Sequence, residues 1–491
     1  TVLTSDNNNE YSLSQNAITC IYKDNTNIVW VGTYKRGVNF YHPNLVKFDL
    51  YRHESSKANS IGFDDINCFA EDKKENLWIG TNNGGIFYFD RKTNTFKNYK
   101  HNPSDPASLP NNVILKLYID KDDKLWVASY YGGLSYFDGQ KFVRFKHDDK
   151  NPQSLSDDKV WDIFEDSQGN FWIGTLGSGL DLFDRKKNIF YHYKYGEVNS
   201  VSSNYILHIA EDKNRNLWLA TALGVNMLEH KTGRFVYFNN IPSDKNSLCN
   251  NNVTFVFPDS RGLIWIGTRE GLSIYNPFTR KINSYFMNDG LPSNTIQSIT
   301  EDNLHHIWIS TTNGLTRFFI KSFTNNKLEF DIFNYDKSDG LQGSEFNEKA
   351  CLKTSKGELV FGGANGFNIF KPQQIKSNTT PPPVYITDLY LFNEKVKVNK
   401  PVFKRIVLTK SLMNNKKLKL RYSENIFSIE FAALNYLHPE KNRFKYKLEG
   451  FNESWIETNS LHPKATYTNL DPGRYIFRVI ASNDDGVWNK E

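Results

Sequence analysis

Short apolar segments recur along the first 370 positions, and polar turn residues separate them. An apolar segment such as INCFAED or ILHIAED precedes each turn, and alternating segments such as GGIFYFD and GGLSYFD follow it. A further short strand such as FKNY or FVRF precedes a polar linker that ends in SLxxN or GLPSN. No helical period runs through these segments, so the pattern predicts antiparallel strands, four to each repeating unit.

Seven tryptophans mark this repeat, and they are 43 to 48 residues apart. Each lies in a variant of the phrase WIGT, and an eighth copy, LVFGGANGFNIF, has Val360 in place of the Trp. We number the copies repeats 1 to 8 and call the four strands of each A to D. The period predicts that each repeat is one four-stranded blade of a β-propeller. The seven residues are Trp30, Trp78, Trp126, Trp172, Trp218, Trp265 and Trp308.

An aspartate lies six residues before each of these tryptophans. An Asp at the start of a tight turn accepts hydrogen bonds from backbone amides two residues on, and Gly169 and Gly262 stand where a left-handed conformation would close the turn. Seven near-identical copies indicate a scaffold role, and a calcium-binding or catalytic role is the alternative. The aspartates are Asp24, Asp72, Asp120, Asp166, Asp212, Asp259 and Asp302.

The number of blades depends on which segment supplies the D strand of repeat 8. That repeat ends after its C strand at Phe370, and a Pro-rich segment follows where the D strand is due. If residues 48–52 supply the strand, residues 47–376 form a seven-bladed ring and residues 1–46 are the last blade of a preceding propeller. If residues 2–4 supply it, all eight repeats form one ring. We favour the first arrangement because it explains why the sequence begins in mid-repeat.

The period ends at a Pro-rich linker, 377–383, and a different pattern follows in residues 384–491. Segments such as VYITDLYLF, NRFKYKLEGF and GRYIFRVIASN alternate apolar and polar residues between turns, which predicts a small antiparallel sandwich. One more strand is expected after NDDGVWNK, so we expect this sandwich to be truncated at its C-terminal end. The predicted fold class is all-β: a propeller followed by an immunoglobulin-like β-sandwich.

The net charge of +6 lies entirely in residues 381–491, which carry 18 Lys and Arg against 12 Asp and Glu. The propeller repeats are balanced in charge, whereas a nucleic-acid-binding domain usually carries a basic stripe. We therefore expect this region to bind no nucleic acid. No apolar stretch approaches the ~18 to 20 residues that a membrane-spanning helix needs.

The repeats resemble two-component regulator propeller repeats, and the segment after the linker is similar to the three-tyrosine (YYY) domain that follows such repeats. The three tyrosines correspond to Tyr446 in FKYKLEGF, Tyr467 in ATYTNL and Tyr475 in GRYIFRV. The segment GLQGSEFNEKA followed by ELVFGGANGFNIFKP is similar to the last blade of these sensors. The resemblance covers essentially the whole chain.

This resemblance implies the periplasmic part of an inner-membrane hybrid two-component sensor. In that family two seven-bladed propellers and the YYY domain precede a transmembrane helix and a histidine kinase. The resemblance further implies that the region recognises a glycan-derived oligosaccharide and signals across the membrane to regulate polysaccharide-utilisation genes. Because the YYY domain is expected just before the membrane, we also hypothesise a homodimer that forms through the YYY region. It assigns binding rather than catalysis to this region, and we expect no cofactor.

The loops between the B and C strands differ most between repeats, so we expect ligand contacts there. The Gly of the C strand that follows each Trp comes seven positions after it in repeats 1 to 4 and six positions after it in repeats 5 to 7. The extra residue enlarges the loops in one sector of one face. Aromatic side chains stack on sugar rings, and Arg and Lys bind acidic groups. The candidate binding residues are Tyr34, Lys35, Arg36, Tyr130, Tyr131, Arg269 and Glu270.

An enzyme is the main alternative, namely a propeller-fold glycan or lactone lyase. Such an enzyme needs a His or Tyr base with acidic partners at the ring axis, and the inner strands offer His208 and Asp162 as lone candidates. Recognisable nucleotide, zinc and serine-hydrolase motifs are absent from the sequence. Cys20 and Cys68 occupy the same position of successive inner strands, so we expect both to be small buried hydrophobic residues.

Overall fold

The computed structural model describes residues 2–6, 11–55, 57, 59–414 and 417–490, and these residues lie almost entirely in strands, turns and loops. The all-β fold class is therefore confirmed. The chain divides into two compact units, of which one spans Val46–Ile375 and the other joins the residues up to Leu45 with those from Lys376 onward. Helical structure in the described residues is confined to short 3-10 turns at Met287–Asp289, Lys337–Asp339, Pro372–Gln374, Leu412–Asn414 and Pro439–Lys441.

Repeat 1 belongs to the second of these units and forms a three-stranded antiparallel sheet. Its strands are β1 (Ile18–Lys23), β2 (Val29–Thr33) and β3 (Val38–Tyr41). Every residue of β1 is exposed, so Cys20 is exposed as well, and the expectation that it is buried is wrong. The equivalent Cys68 is buried. Its sulfur lies beside Gly80, and Ile114 of the next repeat packs against that same glycine and covers it.

The unit Val46–Ile375 contains seven four-stranded sheets, one for each of repeats 2 to 8. In repeats 2 to 7 the strands pair in chain order from A to D. Repeat 8 takes its D strand from the start of the unit, β4 (Asp49–Tyr51). The strands of repeats 2 to 4 are β5 (Ile66–Glu71), β6 (Leu77–Thr81), β7 (Ile86–Asp90), β8 (Thr95–Tyr99), β9 (Ile114–Ile119), β10 (Leu125–Ser129), β11 (Gly133–Phe137), β12 (Phe142–Phe145), β13 (Val160–Glu165), β14 (Phe171–Thr175), β15 (Leu180–Asp184) and β16 (Ile189–Tyr193).

The remaining repeats follow the same order, and repeat 7 has a long C–D hairpin. The strands of repeats 5 to 8 are β17 (Ile206–Glu211), β18 (Leu217–Thr221), β19 (Gly224–Leu228), β20 (Phe235–Phe238), β21 (Val253–Pro258), β22 (Ile264–Thr268), β23 (Gly271–Asn276), β24 (Lys281–Tyr285), β25 (Ile296–Glu301), β26 (Ile307–Thr311), β27 (Gly314–Thr324), β28 (Lys327–Tyr335), β29 (Phe346–Lys353), β30 (Leu359–Gly363) and β31 (Gly366–Phe370).

The ring closes where β4 pairs with β31, and this is the pairing expected from the sequence. Tyr51 is opposite Phe367 in the register, and their rings stack with centroids 5.0 Å apart. Phe48, which is 1% exposed, packs edge-on against Phe370 at 4.7 Å. The alternative closure by residues 2–4 does not occur, because these residues form no strand. Seven blades therefore make one closed propeller.

The aspartate turns act as scaffold in all seven tryptophan repeats. One carboxylate oxygen of each Asp accepts the backbone amides two and four residues on, as Asp259 does from Arg261 and Leu263. The residue three positions after the Asp has a positive φ in every case. In six repeats the second oxygen also accepts the indole N–H of the Trp, a contact that the sequence analysis did not foresee. In repeat 2 this oxygen instead accepts the Tyr88 hydroxyl at 3.0 Å.

The six repeat tryptophans of the closed ring pack between neighbouring blades, as expected for propeller repeats, whereas Trp30 packs against Phe40 and Tyr436. Trp126 of repeat 3, for example, lies 4.7 Å from the ring of Phe171 in repeat 4. Polar contacts also join the blades, because the Glu that ends an inner strand accepts both the amide and the hydroxyl of a Ser in an adjacent repeat. Glu71 binds Ser355 in this way across the closure of the ring. The result is a rigid support for the loops at either end of the strands.

The residues from Lys376 onward form two sheets that enclose one hydrophobic core. The strands of this part are β32 (Val384–Leu391), β33 (Glu394–Lys395), β34 (Pro401–Val402), β35 (Arg405–Ile406), β36 (Ile426–Ala433), β37 (Arg443–Glu449), β38 (Ile456–Asn459), β39 (Lys464–Thr468) and β40 (Ile476–Ser482). One sheet has the order β33-β32-β36-β39, the other has the order β38-β37-β40, and β34 pairs separately with β35.

The three motif tyrosines are packed on or against the core of this sandwich. Tyr467 is 3% exposed, donates to Asn452 Oδ1 at 3.3 Å, and has a raised pKa because of burial. Tyr446 packs against the same core, and its pKa is raised by burial as well. The Tyr475 hydroxyl donates to the carbonyl of Asp471 at 2.9 Å. All three tyrosines therefore contribute to the packing or hydrogen bonding of the sandwich.

Candidate ligand-binding face

Because strands in each blade alternate in direction, the B–C loops and the starts of the inner A strands lie at one end of the ring. Tyr130 and Tyr131 form the B–C loop of repeat 3, and their rings meet edge to face with centroids 4.4 Å apart. Both are exposed, at 36% and 54%, and Lys159 lies 5.3 Å above the ring of Tyr131. This pair presents two aromatic surfaces and one ammonium group to solvent.

The predicted pair Arg269 and Glu270 lies in the B–C loop of repeat 6, at the same end of the ring. Arg269 forms an ion pair with Glu348, which lies on the inner strand of repeat 8. Glu270 accepts a hydrogen bond from Asn250 Nδ2 at 2.9 Å. The Arg269 side chain remains 47% exposed despite its partner, so it can still meet a ligand.

The other three predicted residues lie in the B–C loop of repeat 1, in the second compact unit. Tyr34 is 66% exposed, and the Lys35 ammonium lies 5.3 Å from the centroid of its ring. The Arg36 amide donates to Thr33 Oγ1 at 3.2 Å. This group repeats the aromatic and cationic chemistry of Tyr131 and Lys159 on a separate body.

Four polar side chains meet on the inner strands of the ring. Asp162 is fully buried, and its Oδ1 lies 3.0 Å from the Lys116 ammonium of the preceding repeat. Its Oδ2 accepts the amide of Ile209 in the next repeat at 2.9 Å. Burial is the largest effect on Asp162 and raises its pKa, but the positive charges of Lys116 and Lys349 and the hydrogen bond from Lys116 together hold that pKa below its usual value. Asp162 is therefore an ion-pair partner, which does not match the lone acid that a lyase would use.

His208 is the third member of this inner cluster. It is 8% exposed, and its ring stacks on Phe255 with centroids 3.7 Å apart. Burial lowers the pKa of His208 to about 3, so the imidazole is neutral near pH 7. Within the described part of the chain its Nδ1 has no hydrogen-bond partner.

Lys349 is the fourth member, and the sequence analysis missed it. Its Nζ crosses the ring from repeat 8 and donates to the carbonyl of Trp161 in repeat 4 at 2.5 Å, while lying 4.6 Å from the centroid of the Trp161 ring. The residue is 5% exposed, and burial lowers its pKa to about 8. The sequence signal at this position is the segment FNEKA, whose acidic and basic residues depart from the apolar inner-strand pattern.

The described residues contain neither a candidate metal-binding cluster nor a membrane-spanning helix. No group of three or more His, Cys, Asp or Glu side chains in this part of the chain is placed to hold a metal ion. None of the described helical segments has the length and apolar character needed to cross a bilayer.

Comparison with known proteins identifies both parts of the chain. The family model described as "Two component regulator propeller" matches seven segments, and the model described as "Y_Y_Y domain" matches residues 435–491. The chain thus contains segments that match two-component regulator propeller repeats, followed by a segment that matches a Y_Y_Y domain. The seven propeller segments are 12–35, 60–83, 108–131, 154–177, 200–222, 247–270 and 290–313.

Two solved structures that resemble this chain are extracellular domains of putative hybrid two component systems. The chain is 25% identical to the extracellular domain of the putative hybrid two component system BT3049 from B. thetaiotaomicron, with a TM-score of 0.78 over 99% of this chain and 62% of that one. It is also 25% identical to the extracellular domain of the putative hybrid two component system BT4673 from the same organism, with a TM-score of 0.55 over 100% of this chain and 64% of that one.

A curated relative extends the comparison to full-length proteins. The chain is 27% identical over 310 residues to "Histidine kinase P4" of Formosa agariphila, a match that covers 53% of this chain and 22% of the relative. The chain therefore spans less than two thirds of the length of each of these relatives.

Proposed function

We propose that this chain is part of the extracytoplasmic sensor region of a hybrid two-component histidine kinase, and that it recognises a glycan-derived oligosaccharide. The observation that carries the proposal is the Tyr130–Tyr131 pair with Lys159 beside it, exposed on a rigid ring of propeller repeats that precede a Y_Y_Y domain. Paired aromatic rings suit the apolar faces of sugar rings, and an ammonium group suits their hydroxyl or acidic substituents.

The ring supports this function because it holds the binding loops without needing to deform. A closed propeller responds to a ligand by moving as a rigid body more readily than by bending its blades. The similarity to extracellular domains of two component systems supports a location outside the cytoplasm, which we propose to be the periplasm. The signal would then pass through the inner membrane to a kinase that regulates polysaccharide-utilisation genes.

We also propose that two copies associate through the Y_Y_Y domain. A ligand can shift an equilibrium between two arrangements of the dimer only if it binds one of them better, and a tenfold preference corresponds to ~1.4 kcal/mol. Sedimentation equilibrium of the chain with and without an oligosaccharide tests this part. A monomer at every concentration and ligand condition would contradict it.

Calorimetric titration and thermal-shift screening against oligosaccharides of defined linkage test the main proposal. A ligand present at 100 times its Kd stabilises the folded state by ~2.7 kcal/mol, which is a measurable rise in Tm. If no neutral or acidic oligosaccharide binds, the proposal fails for this chain. Chromatography of the same mixtures tests for turnover, and new products would favour the lyase alternative.

A further inference from the structure

The inner strand of repeat 8 departs from the others at the end of the ring that carries the B–C loops. In the other six repeats one extra residue forms a bulge near the start of the A strand, as between Ile66 and Cys68. In β29 four residues, 347–350, stand opposite Gly362 alone. Within this wide bulge Lys349 adopts a φ of 62°, which is strained for a residue with a side chain. Bulges and strained residues of this kind re-aim side chains and are frequent at functional sites.

The bulge directs a lysine towards the inner strands on the far side of the ring. Lys349 Nζ makes one hydrogen bond to described residues, the contact with the Trp161 carbonyl. An ammonium group has three donors. The nearby Asp162 carboxylate is already paired with Lys116, and Glu348 is paired with Arg269. The cluster thus holds one buried positive charge without a carboxylate of its own.

Three further polar groups near the starts of the inner strands also lack partners among the described residues. In the described residues, no hydrogen bond is made by the indole N–H of Trp161, by His208 Nδ1 or by Gln297 Oε1. His208 and Gln297 are 8% and 6% exposed, so water does not solvate them freely. All three residues are the second or third of an inner strand, at the same end of the ring as the bulge. Buried polar groups that lack partners in the protein normally bind water, an ion or a ligand.

We propose that Lys349, Trp161, His208 and Gln297 together bind a compact oxyanion, either the carboxylate of a uronate residue or a sulfate ester. The inference rests on the proposed function, because it assigns the acidic group to the recognised oligosaccharide. The Lys349 ammonium and the Trp161 indole N–H donate to the oxyanion, and Gln297 Oε1 accepts from a sugar hydroxyl. The exposed aromatic pair Tyr130 and Tyr131 lies on the same end of the ring and takes the neighbouring sugar units.

The test is calorimetric titration of the full chain and of Lys349→Met with four probes: inorganic sulfate, tetragalacturonate, a sulfated carrageenan tetrasaccharide and neutral β-1,4-galactotetraose. We expect Lys349→Met to weaken binding of the acidic probe at least ~10-fold, which is typical of losing a charge-assisted hydrogen bond. Binding of the neutral probe should not change. Tetragalacturonate and the carrageenan probe distinguish a carboxylate from a sulfate ester.

Lys73→Met is the matched control. Lys73 Nζ also donates to a carbonyl of another repeat, that of Lys121 at 3.1 Å, but it lies in an A–B turn at the opposite end of the blades. Lys73→Met should therefore leave the affinity for every probe unchanged. Melting curves show whether Lys349→Met is folded.

The pH dependence of the unmodified chain provides a second readout that needs no variant. Asp162, Lys116, Glu348 and Cys68 are the charged or titratable groups that act on Lys349, and burial keeps its pKa at about 8. Affinity for the acidic probe should therefore fall ~10-fold between pH 7 and pH 9, as the ammonium loses its proton. Affinity for the neutral probe should not follow this course.

The outcomes separate this inference from the proposed function. An acidic probe that binds the unmodified chain and Lys349→Met equally, or an absence of binding by all three oxyanions, overturns the inference. If a neutral oligosaccharide binds in that case, the proposed function stands without it. Sulfate binding that requires Lys349, with no binding of any oligosaccharide, supports the oxyanion site and contradicts the proposed function.

Discussion

Asp259 holds Trp265 through a hydrogen bond of 3.0 Å from the indole N–H to one carboxylate oxygen, while the other oxygen accepts two backbone amides of the turn. Both residues are buried, at 2% and 0% exposure. One side chain therefore fixes the A–B turn and the residue that packs between blades. The same arrangement explains why Asp and Trp recur six residues apart along the chain.

Asp259→Ala should lower the free energy of unfolding by about 2–4 kcal/mol, because it leaves a buried indole N–H and two amides without their acceptor. Chemical denaturation monitored by tryptophan fluorescence measures the change. Asp138→Ala is the control, since Asp138 also accepts two turn amides, from Gln140 and Lys141, but is exposed. Equal losses in the two variants would show that the indole contact contributes nothing.

The closure of the ring by β4 gives a second prediction. Phe48→Ala removes a ring that is 1% exposed and packs against Phe370 and Tyr335. Such a truncation should lower the free energy of unfolding by about 3–5 kcal/mol. Val198→Ala, at a side chain that is 98% exposed, is the control and should change it by less than about 0.5 kcal/mol. A small effect of Phe48→Ala would mean that β4 contributes little to closure.

The number of blades and the closing strand could be predicted because both depend on the sequence period and on counting strands. The left-handed turn position could be predicted where it is glycine, as at Gly169, but five repeats place Asn, Glu, Asp, Arg or His there. The exposure of Cys20 could not be predicted, since it depends on which strands cover β1. Burial of a residue in a repeat protein is decided by the neighbouring repeat.

The residues of the candidate site also divide into those that could be predicted from the sequence and those that could not. Loop residues such as Tyr131 could be proposed from the variation between repeats, because the scaffold is constant and the loops are not. Lys349 could not, since its contact with Trp161 joins residues 188 positions apart across the ring. Counting the residues between motifs in the sequence does not reveal that four residues of β29 form one bulge.

His208 should make the protein sensitive to acid. Its folded pKa of about 3 lies below the ordinary histidine pKa of 6.5, so the unfolded state binds the proton first as pH falls. Stability associated with this residue is present above pH 6.5 and is lost below it, by about 2 kcal/mol between pH 6.5 and pH 4.5. His208→Leu should lose less stability over this interval, and His230→Gln, at an exposed turn, should behave as the unmodified chain. Identical pH profiles for His208→Leu and the unmodified chain would contradict this assignment.

Lys349 should lower the stability of the folded protein at neutral pH, and this effect should disappear at alkaline pH. Its folded pKa of about 8 lies below the ordinary lysine pKa of 10.5, so the folded state carries the full penalty of the buried charge below pH 8 and loses it as pH rises to 10.5. Lys349→Met should therefore be more stable than the unmodified chain by up to about 3 kcal/mol at pH 7. The difference should fall to about half by pH 9.5. A variant that is less stable at pH 7 would contradict a buried, uncompensated ammonium.

Replacing Tyr130 and Tyr131 together by Ala should weaken oligosaccharide binding while leaving Tm nearly unchanged. The rings contact each other and the Lys159 ammonium and are exposed, so the fold does not depend on them. Loss of a stacked sugar should reduce affinity about 10-fold, which calorimetry with a ligand from the screen measures. Tyr191→Ala, an equally exposed position on the outer strand of repeat 4, is the control and should keep the affinity. If affinity survives the double substitution and melting is unchanged, the ligand binds away from this loop, and Tyr34, Lys35 and Arg36 become the next residues to replace.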